Sequence, residues 1–233
     1  LVVAAGGNSG QRGVMPPASA PSALTVGGLD DRNSLASTNW RLYWSSFGNG
    51  AHGVAKPEVI APAIWLAAPM LPKTTTHHDA LYLTRLLGLG DAELADALQT
   101  PHALKRLGKR VADMAPDEAR RLIRSRMVEH KYIHPHYQHV DGTSMAAPIV
   151  SGIAAQMLEA NPDLKPHEVK RILIDTAQRE IVSVTRRGRV AAYVMSPQVL
   201  EDYIDGYMAM EAEKRGFATP EETQAFLNSL TDA

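Results

Sequence analysis

The chain has 233 residues, 45% of them hydrophobic and 21% charged, which allows one large globular domain or two small ones. Its formal net charge of −1 gives no general electrostatic pull toward nucleic acid or an anionic membrane. It has no cysteine, so disulfides, thiolate nucleophiles and Cys-based zinc sites are excluded, and no apolar run approaches the ~20 residues of a membrane-spanning helix.

Leu1 to Ala5 is continuously apolar and ends in glycines, the pattern of a buried parallel strand. Gly6, Gly7 and Gly10 bracket Asn8 and permit tight turns and close approach of another backbone. Leu24 to Gly27 and Val59 to Ala61 read as two further strands, with a polar surface loop over Asp30 to Asn39. Helical signals then cover Ala80 to Leu87, Asp91 to Leu98, a Thr100-Pro101 start leading to Leu107, and a Pro116 start leading to Val128. The Lys and Arg residues of this stretch read as a solvated helix face.

Ala146 to Ala160 is apolar nearly all round, as a centrally buried helix would be, with Pro148 expected in its first turn. Pro166 leads into a helix over Glu168 to Ala177. Ile181 to Val184 and Val190 to Val194 suggest a hairpin around Gly188. Ser196-Pro197 opens another helix, and the capping box Thr219 to Glu222 opens a last one.

The octet Asp141-Gly142-Thr143-Ser144-Met145-Ala146-Ala147-Pro148 is the most informative stretch. It sets Ser144 at the start of a helix, where a hydroxyl can project outward while its own N–H lies at the positive helix end. Exposure and an oxyanion donor are two needs of a nucleophilic serine. A helix-capping serine satisfies the isolated motif equally well. Asn8 is likewise either an amide donor to an oxyanion or a turn asparagine between glycines.

The octet resembles the serine motif of the subtilisin-like serine proteases (subtilases, peptidase S8). Leu1 to Gly10, Pro17 to Ser19 with Leu24 to Gly27, Ser45 to Gly48, Lys56 to Pro62, and Ala146 to Leu158 with Asn161 to Leu173 are similar to further family segments, in the family's order. The resemblance implies an α/β fold: a three-layer α/β/α sandwich on a parallel sheet, here incomplete, with a helical insertion and C-terminal helices. It divides the chain into a first catalytic-core segment with the oxyanion strand (1–62), the insertion (63–138), a second catalytic-core segment with the serine helix (139–195) and a C-terminal helical extension (196–233).

It also implies a serine endopeptidase in which Ser144 is the nucleophile and Asn8 forms the oxyanion hole. Gly6, Gly7, Gly142 and Thr143 would line the substrate site, with Gly6 and Gly7 walling the pocket before the scissile bond. The substrate would be a protein or peptide, with no nucleic acid or membrane partner. No cofactor is required. Structural calcium is compatible with the family, but no ligand set stands out, and no metal site is assigned. The compartment stays open.

The family's base and its orienting acid lie in an Asp-[Ser/Thr]-Gly motif and a His-Gly-Thr motif, and neither occurs here. The chain opens without Met inside an apolar run. The expectation is therefore a C-terminal portion of a longer protease whose missing N-terminal portion completes the domain and the triad. A second reading is a catalytically silent subtilase-derived module that binds peptides without cleaving them. The histidines His130, His134, His136 and His139 cluster within ten residues. His130 and His134 could share a helix face and bind a metal, and His139 with Asp141 could act as a substituted base. The competing reading is a polar, partly exposed connector. His77-His78-Asp79 invites the same two readings.

Overall fold

A computed structural model describes residues 1–34 and 36–215. Strand β1 (Val3–Ala5) runs parallel to β2 (Leu24–Asp30), and β6 (Val59–Pro62) runs parallel to the other edge of β2. β2 and β6 are buried almost throughout, so neither alternates between apolar and polar residues. The two-residue β3 (Arg41–Leu42) pairs antiparallel with the end of β2, making the sheet mixed. Short strands β4 (Gly48–Asn49) and β5 (Ala55–Lys56) form a separate ribbon that leads into β6.

Among the described residues three helices cover this sheet. α5 (Thr143–Ala160) and α6 (Pro166–Ala177) pack Ala146, Val150, Val169 and Leu173 against Leu24, Val26, Val59 and Ala61. On the opposite face, Leu29 and Ile60 meet Trp40, Met195 and Leu200. Leu200 lies in the first turns of α7 (Pro197–Arg215), whose start is capped by the Ser196 hydroxyl accepting the Val199 N–H at 3.1 Å. The hairpin β10 (Val182–Arg186) and β11 (Arg189–Val194) turns on Arg187 and Gly188, both at positive φ, in a two-residue loop. It joins the sheet where Met195 and Ile60 exchange backbone hydrogen bonds of 2.8 and 3.3 Å. The expected capping box at 219–222 lies outside the described residues.

Between β6 and α5 the chain builds a second core. Helices α1 (Thr75–Leu87), α2 (Asp91–Leu98), α3 (Pro101–Leu107) and α4 (Pro116–Glu129) pack Leu83, Leu86, Leu94, Leu98, Leu107 and Ile123 together. Their starts are fixed locally. Thr74 and Thr100 hydroxyls accept N–H groups of the first turns of α1 and α3, and Pro101 and Pro116 open α3 and α4.

Three expectations need correction. The segment after β6 is not helical alone: β7 (Leu66–Pro69), β8 (Tyr132–His134) and β9 (Tyr137–Val140) form an antiparallel ribbon in the order β7-β9-β8. β7 pairs with β9 across some seventy residues, so no local pattern marks it, whereas β8 and β9 are neighbours in sequence with an irregular register. Pro148 is the sixth residue of α5, past the first turn, and removes the N–H that would bond the Ser144 carbonyl. Finally, α5 is buried on one side only: Ser151, Gly152, Ala155 and Gln156 are exposed, because no described element covers that face.

Candidate active site

β1 delivers Asn8. Its ladder continues past the strand through the Gly6 N–H, which donates to the Val26 carbonyl at 2.9 Å. Gly7 then turns at φ 104°, and a Cβ there would lie 2.6 Å from the Ser46 Oγ, so only glycine fits. The Ser46 N–H holds the Gly7 carbonyl at 2.9 Å.

α5 delivers Thr143 and Ser144. Gly142 precedes the helix at φ 132° and ψ 156°, a conformation that side-chain-bearing residues avoid. Its N–H donates to the Ala63 carbonyl at 2.6 Å, tying the helix start to the end of β6. Thr143 is fully buried and links the two segments. Its Oγ1 accepts the Gly7 N–H at 3.1 Å and donates to the Asn8 Oδ1 at 3.0 Å. The Thr143 N–H donates to the same Oδ1 at 2.8 Å.

This pairing orients the Asn8 carboxamide. A backbone N–H can only donate, so the atom facing it is the oxygen, and the Nδ2 amino group points elsewhere. Nδ2 lies 3.2 Å from where a Gly142 Cβ would stand, and among the described residues no hydrogen bond engages it. Ser144 is exposed in the first turn of α5, where its N–H has no intrahelical acceptor. The structure thus places Gly7, Asn8, Gly142, Thr143 and Ser144 in one contiguous patch, with an exposed hydroxyl and two available donors. Gly6 adjoins the patch from the sheet side, where a Cβ would lie 3.3 Å from the Val26 carbonyl.

The histidines are elsewhere engaged. His139 lies on β9 and its Nδ1 donates to the Trp65 carbonyl at 2.7 Å. Asp141 does not orient it: Oδ1 accepts the Trp65 N–H at 2.8 Å and Oδ2 pairs with Lys131. His130 caps the end of α4 while His134 lies on β8, so the two share no helix face. The chain reverses between them through Lys131 at φ 59°. His77 Nε2 meets His136 Nδ1 at 3.1 Å, and Asp79 pairs with Arg106. Among the described residues no group of three or more His, Cys, Asp or Glu is arranged to hold a metal ion.

Near the patch, Tyr43 carries a phenol whose pKa is raised above its ordinary value, first by burial and then by the Asp141 charge. A cavity of about 950 Å³ opens two residues beyond Asn8, lined by Gly10, Trp44, Phe47, Pro57, Gln178 and Ser196 among others. It includes neither Asn8 nor Ser144. Sequence reasoning missed it. The exposed Trp44 and Phe47 flanking Ser45-Ser46 were the available signal.

The model of the subtilase family matches residues 1–193. The chain belongs to the subtilase family. Among curated subtilases it is similar to serine protease AprX of Bacillus subtilis (strain 168), with 28% identity over 176 residues, 74% of this chain and 29% of that protein. It is also similar to the probable subtilase-type serine protease DR_A0283 of Deinococcus radiodurans, with 47% identity over 47 residues, 20% of this chain and 6% of that protein. The chain spans less than a third of the length of either relative. Family membership carries the α/β fold class and a serine-protease lineage. Among the described residues of this subtilase, no helix is long and apolar enough to cross a membrane.

Proposed function

We propose that this chain carries the nucleophile and oxyanion half of a subtilisin-like serine endopeptidase that cleaves protein or peptide substrates through an acyl-enzyme. The single observation that carries this reading is the Asn8–Thr143 bond, which fixes a free amide donor beside the exposed Ser144. In the proposed reaction Ser144 Oγ attacks the scissile carbonyl, passing its proton to a base, and the oxygen that becomes negative is received by the Ser144 N–H and the Asn8 Nδ2. Collapse of that intermediate expels the amine with a proton, leaving an acyl-serine that water hydrolyses. Gly6 and Gly7 are assigned to one wall of the pocket for the substrate side chain before the scissile bond, and Gly142 and Thr143 hold the turn beneath it.

The base and its orienting acid are assigned to residues outside this stretch. The His139 ring is bonded to Trp65 and the Asp141 carboxylate to Lys131 and Trp65, which leaves no His–Asp couple beside Ser144. The same residues would complete a three-layer α/β/α domain by covering the open face of α5 and the free edge of β1. AprX and DR_A0283 carry serine-protease names, which favour a catalytic role over a silent binding module.

The test is labelling by a fluorophosphonate, which requires an activated serine. The full-length protein should label stoichiometrically at Ser144 and lose the label in Ser144→Ala. The 233-residue chain alone should not react, for want of a base. Full-length protein that folds but does not label would overturn the enzymatic reading, and labelling of the short chain would return the base to His139 or its neighbours.

A further inference from the structure

The helical insertion leaves the core just after Ala63 and returns at Val140, four residues before Ser144. Its two ends do not merely run side by side. Trp65 N–H donates to Asp141 Oδ1 at 2.8 Å, and Trp65 C=O accepts from His139 Nδ1 at 2.7 Å. The His139 N–H donates to the Lys131 carbonyl at 2.8 Å. Lys131 Nζ pairs with Asp141 Oδ2 and lies 4.7 Å from the centre of the Trp65 ring. Trp65 and His139 rings meet edge to face at 5.2 Å. The Trp65 N–H and the Lys131 ammonium thus close on Asp141, the residue next to Gly142, and His139 braces Trp65 from the other arm.

The backbone at this closure is unusual. Trp65 has φ 58° and Lys131 has φ 59°, left-handed conformations that bulky residues avoid unless their surroundings impose them. Both strained residues point at one carboxylate, that of Asp141. An ion pair as exposed as Lys131–Asp141, with about a third and a quarter of the side chains accessible, adds little to stability. What it fixes is position. Asp141 precedes Gly142, whose own N–H is held by Ala63, and Gly142 leads directly into Thr143 and Ser144.

We infer that Lys131 is a positioning residue for the nucleophile loop, acting through Asp141, so that the helical insertion sets the placement of Ser144. This rests on the proposed protease reading and names how that same site is regulated. Lys131 stands two residues beyond the end of α4, so a displacement of the insertion's helical core shifts the ammonium and releases the carboxylate. The nucleophile and its oxyanion donors must coincide to a fraction of an ångström, and a misplacement of about 1 Å costs on the order of 100-fold in rate.

The experiment uses the full-length protein with Lys131→Met, Lys131→Arg, Asp141→Asn and the Lys131→Met/Asp141→Asn double variant. Each is read by the rate of fluorophosphonate acylation, by kcat and KM on a peptide substrate, by hydrogen exchange of the Trp65 and Gly142 amides, and by thermal midpoint. Lys131→Met is expected to slow acylation and kcat by about tenfold or more, leave KM within about twofold and the midpoint nearly unchanged, and speed exchange at Trp65. Lys131→Arg should recover most of the rate. The double variant should be no slower than the slower single one, because both substitutions open the same contact. Wild-type acylation and unchanged Trp65 exchange in Lys131→Met would overturn the inference, as would additive losses in the double variant. If the wild-type protein itself does not label, the protease reading fails alone. Exchange at Trp65 and Gly142 then decides the clasp: faster in Lys131→Met and restored in Lys131→Arg supports it, and no change overturns it.

Discussion

The Asn8 carboxamide oxygen accepts the Thr143 N–H at 2.8 Å, joining the turn after the first strand to the first residue of α5 across 135 positions of sequence. Because the oxygen is committed, only the amino group is left to serve the proposed oxyanion. That division separates the structural from the chemical role of one side chain. Asn8→Asp keeps an acceptor for Thr143 and loses the donor. In the full-length protein it should fold near normally and lose about 100- to 1,000-fold in kcat with little change in KM. Steady-state kinetics beside a thermal melt checks this. Unchanged kcat would remove Asn8 from the oxyanion site.

Gly142→Ala places a Cβ at φ 132° and 3.2 Å from the Asn8 Nδ2. A side chain in that backbone region costs about 1–3 kcal/mol. At about 2–4 °C per kcal/mol for a domain of this size, the thermal midpoint should fall by several degrees. Acylation should fall with it, since the added methyl presses on the donor.

Glu58 serves two cations. Its Oε1 lies 2.7 Å from Lys56 Nζ and 2.9 Å from Lys170 Nζ, and its Oε2 accepts the Thr25 N–H at 2.8 Å. Lys56 is fully buried at its side chain. Glu58→Gln would strand two ammonium groups and should cost about 3–5 kcal/mol. Lys56→Met should cost less, because Lys170 still neutralises the carboxylate. Paired chemical denaturation of the two variants tests the order, and the reverse order would show that Lys170 does not share the charge.

Alkaline stability follows from three phenols. Burial raises the pKa of Tyr43, Tyr82 and Tyr132 above the ordinary 10.0. The folded state therefore holds these protons more tightly than the unfolded chain. The stabilisation is complete below pH 10.0 and is lost as pH rises through the folded values. Thermal midpoints measured upward from about pH 9 should decline beyond pH 10, and Tyr43→Phe should flatten some of that decline.

Asp31 follows the same sign in the acid range. Burial raises its pKa above 3.8, against the lowering effect of the Asn33 N–H that it accepts. The charged form is thus disfavoured in the fold, and stability tied to this group is lost as pH rises through the folded value. Asp31→Asn keeps an acceptor for Asn33 and should raise the thermal midpoint at pH 7 while leaving it unchanged near pH 3. Equal shifts at both pH values would count against a charge effect.

Local signals marked most helices well. The span Asp91–Leu98 is the same in sequence pattern and structure, and Pro101, Pro116 and Pro166 each stand at the first position of a helix. Caps and prolines act within one turn, so neighbouring residues suffice to read them. The ribbon β7-β9-β8 was not legible. Leu-Ala-Ala-Pro has no strand alternation, and its partners lie far along the chain. The exposed side of α5 was also hidden, because an apolar sequence states what a helix could bury and not what is there to cover it.

By itself the sequence determined which residue types stand where: the Gly-Thr-Ser helix start, the glycine-bracketed Asn8, and between them two buried strands followed by four helices. These are short-range facts, set by backbone freedom at glycine and proline and by hydrogen bonds within a turn. Only the tertiary structure decided that the Asn8 oxygen is held by Thr143, that the His139 ring is bonded to the Trp65 carbonyl and not to Asp141, and that Lys131 pairs with Asp141 just ahead of α5. Each of those contacts joins segments 10 to 135 residues apart, and chain connectivity does not encode which distant polar groups meet until packing has removed the water between them.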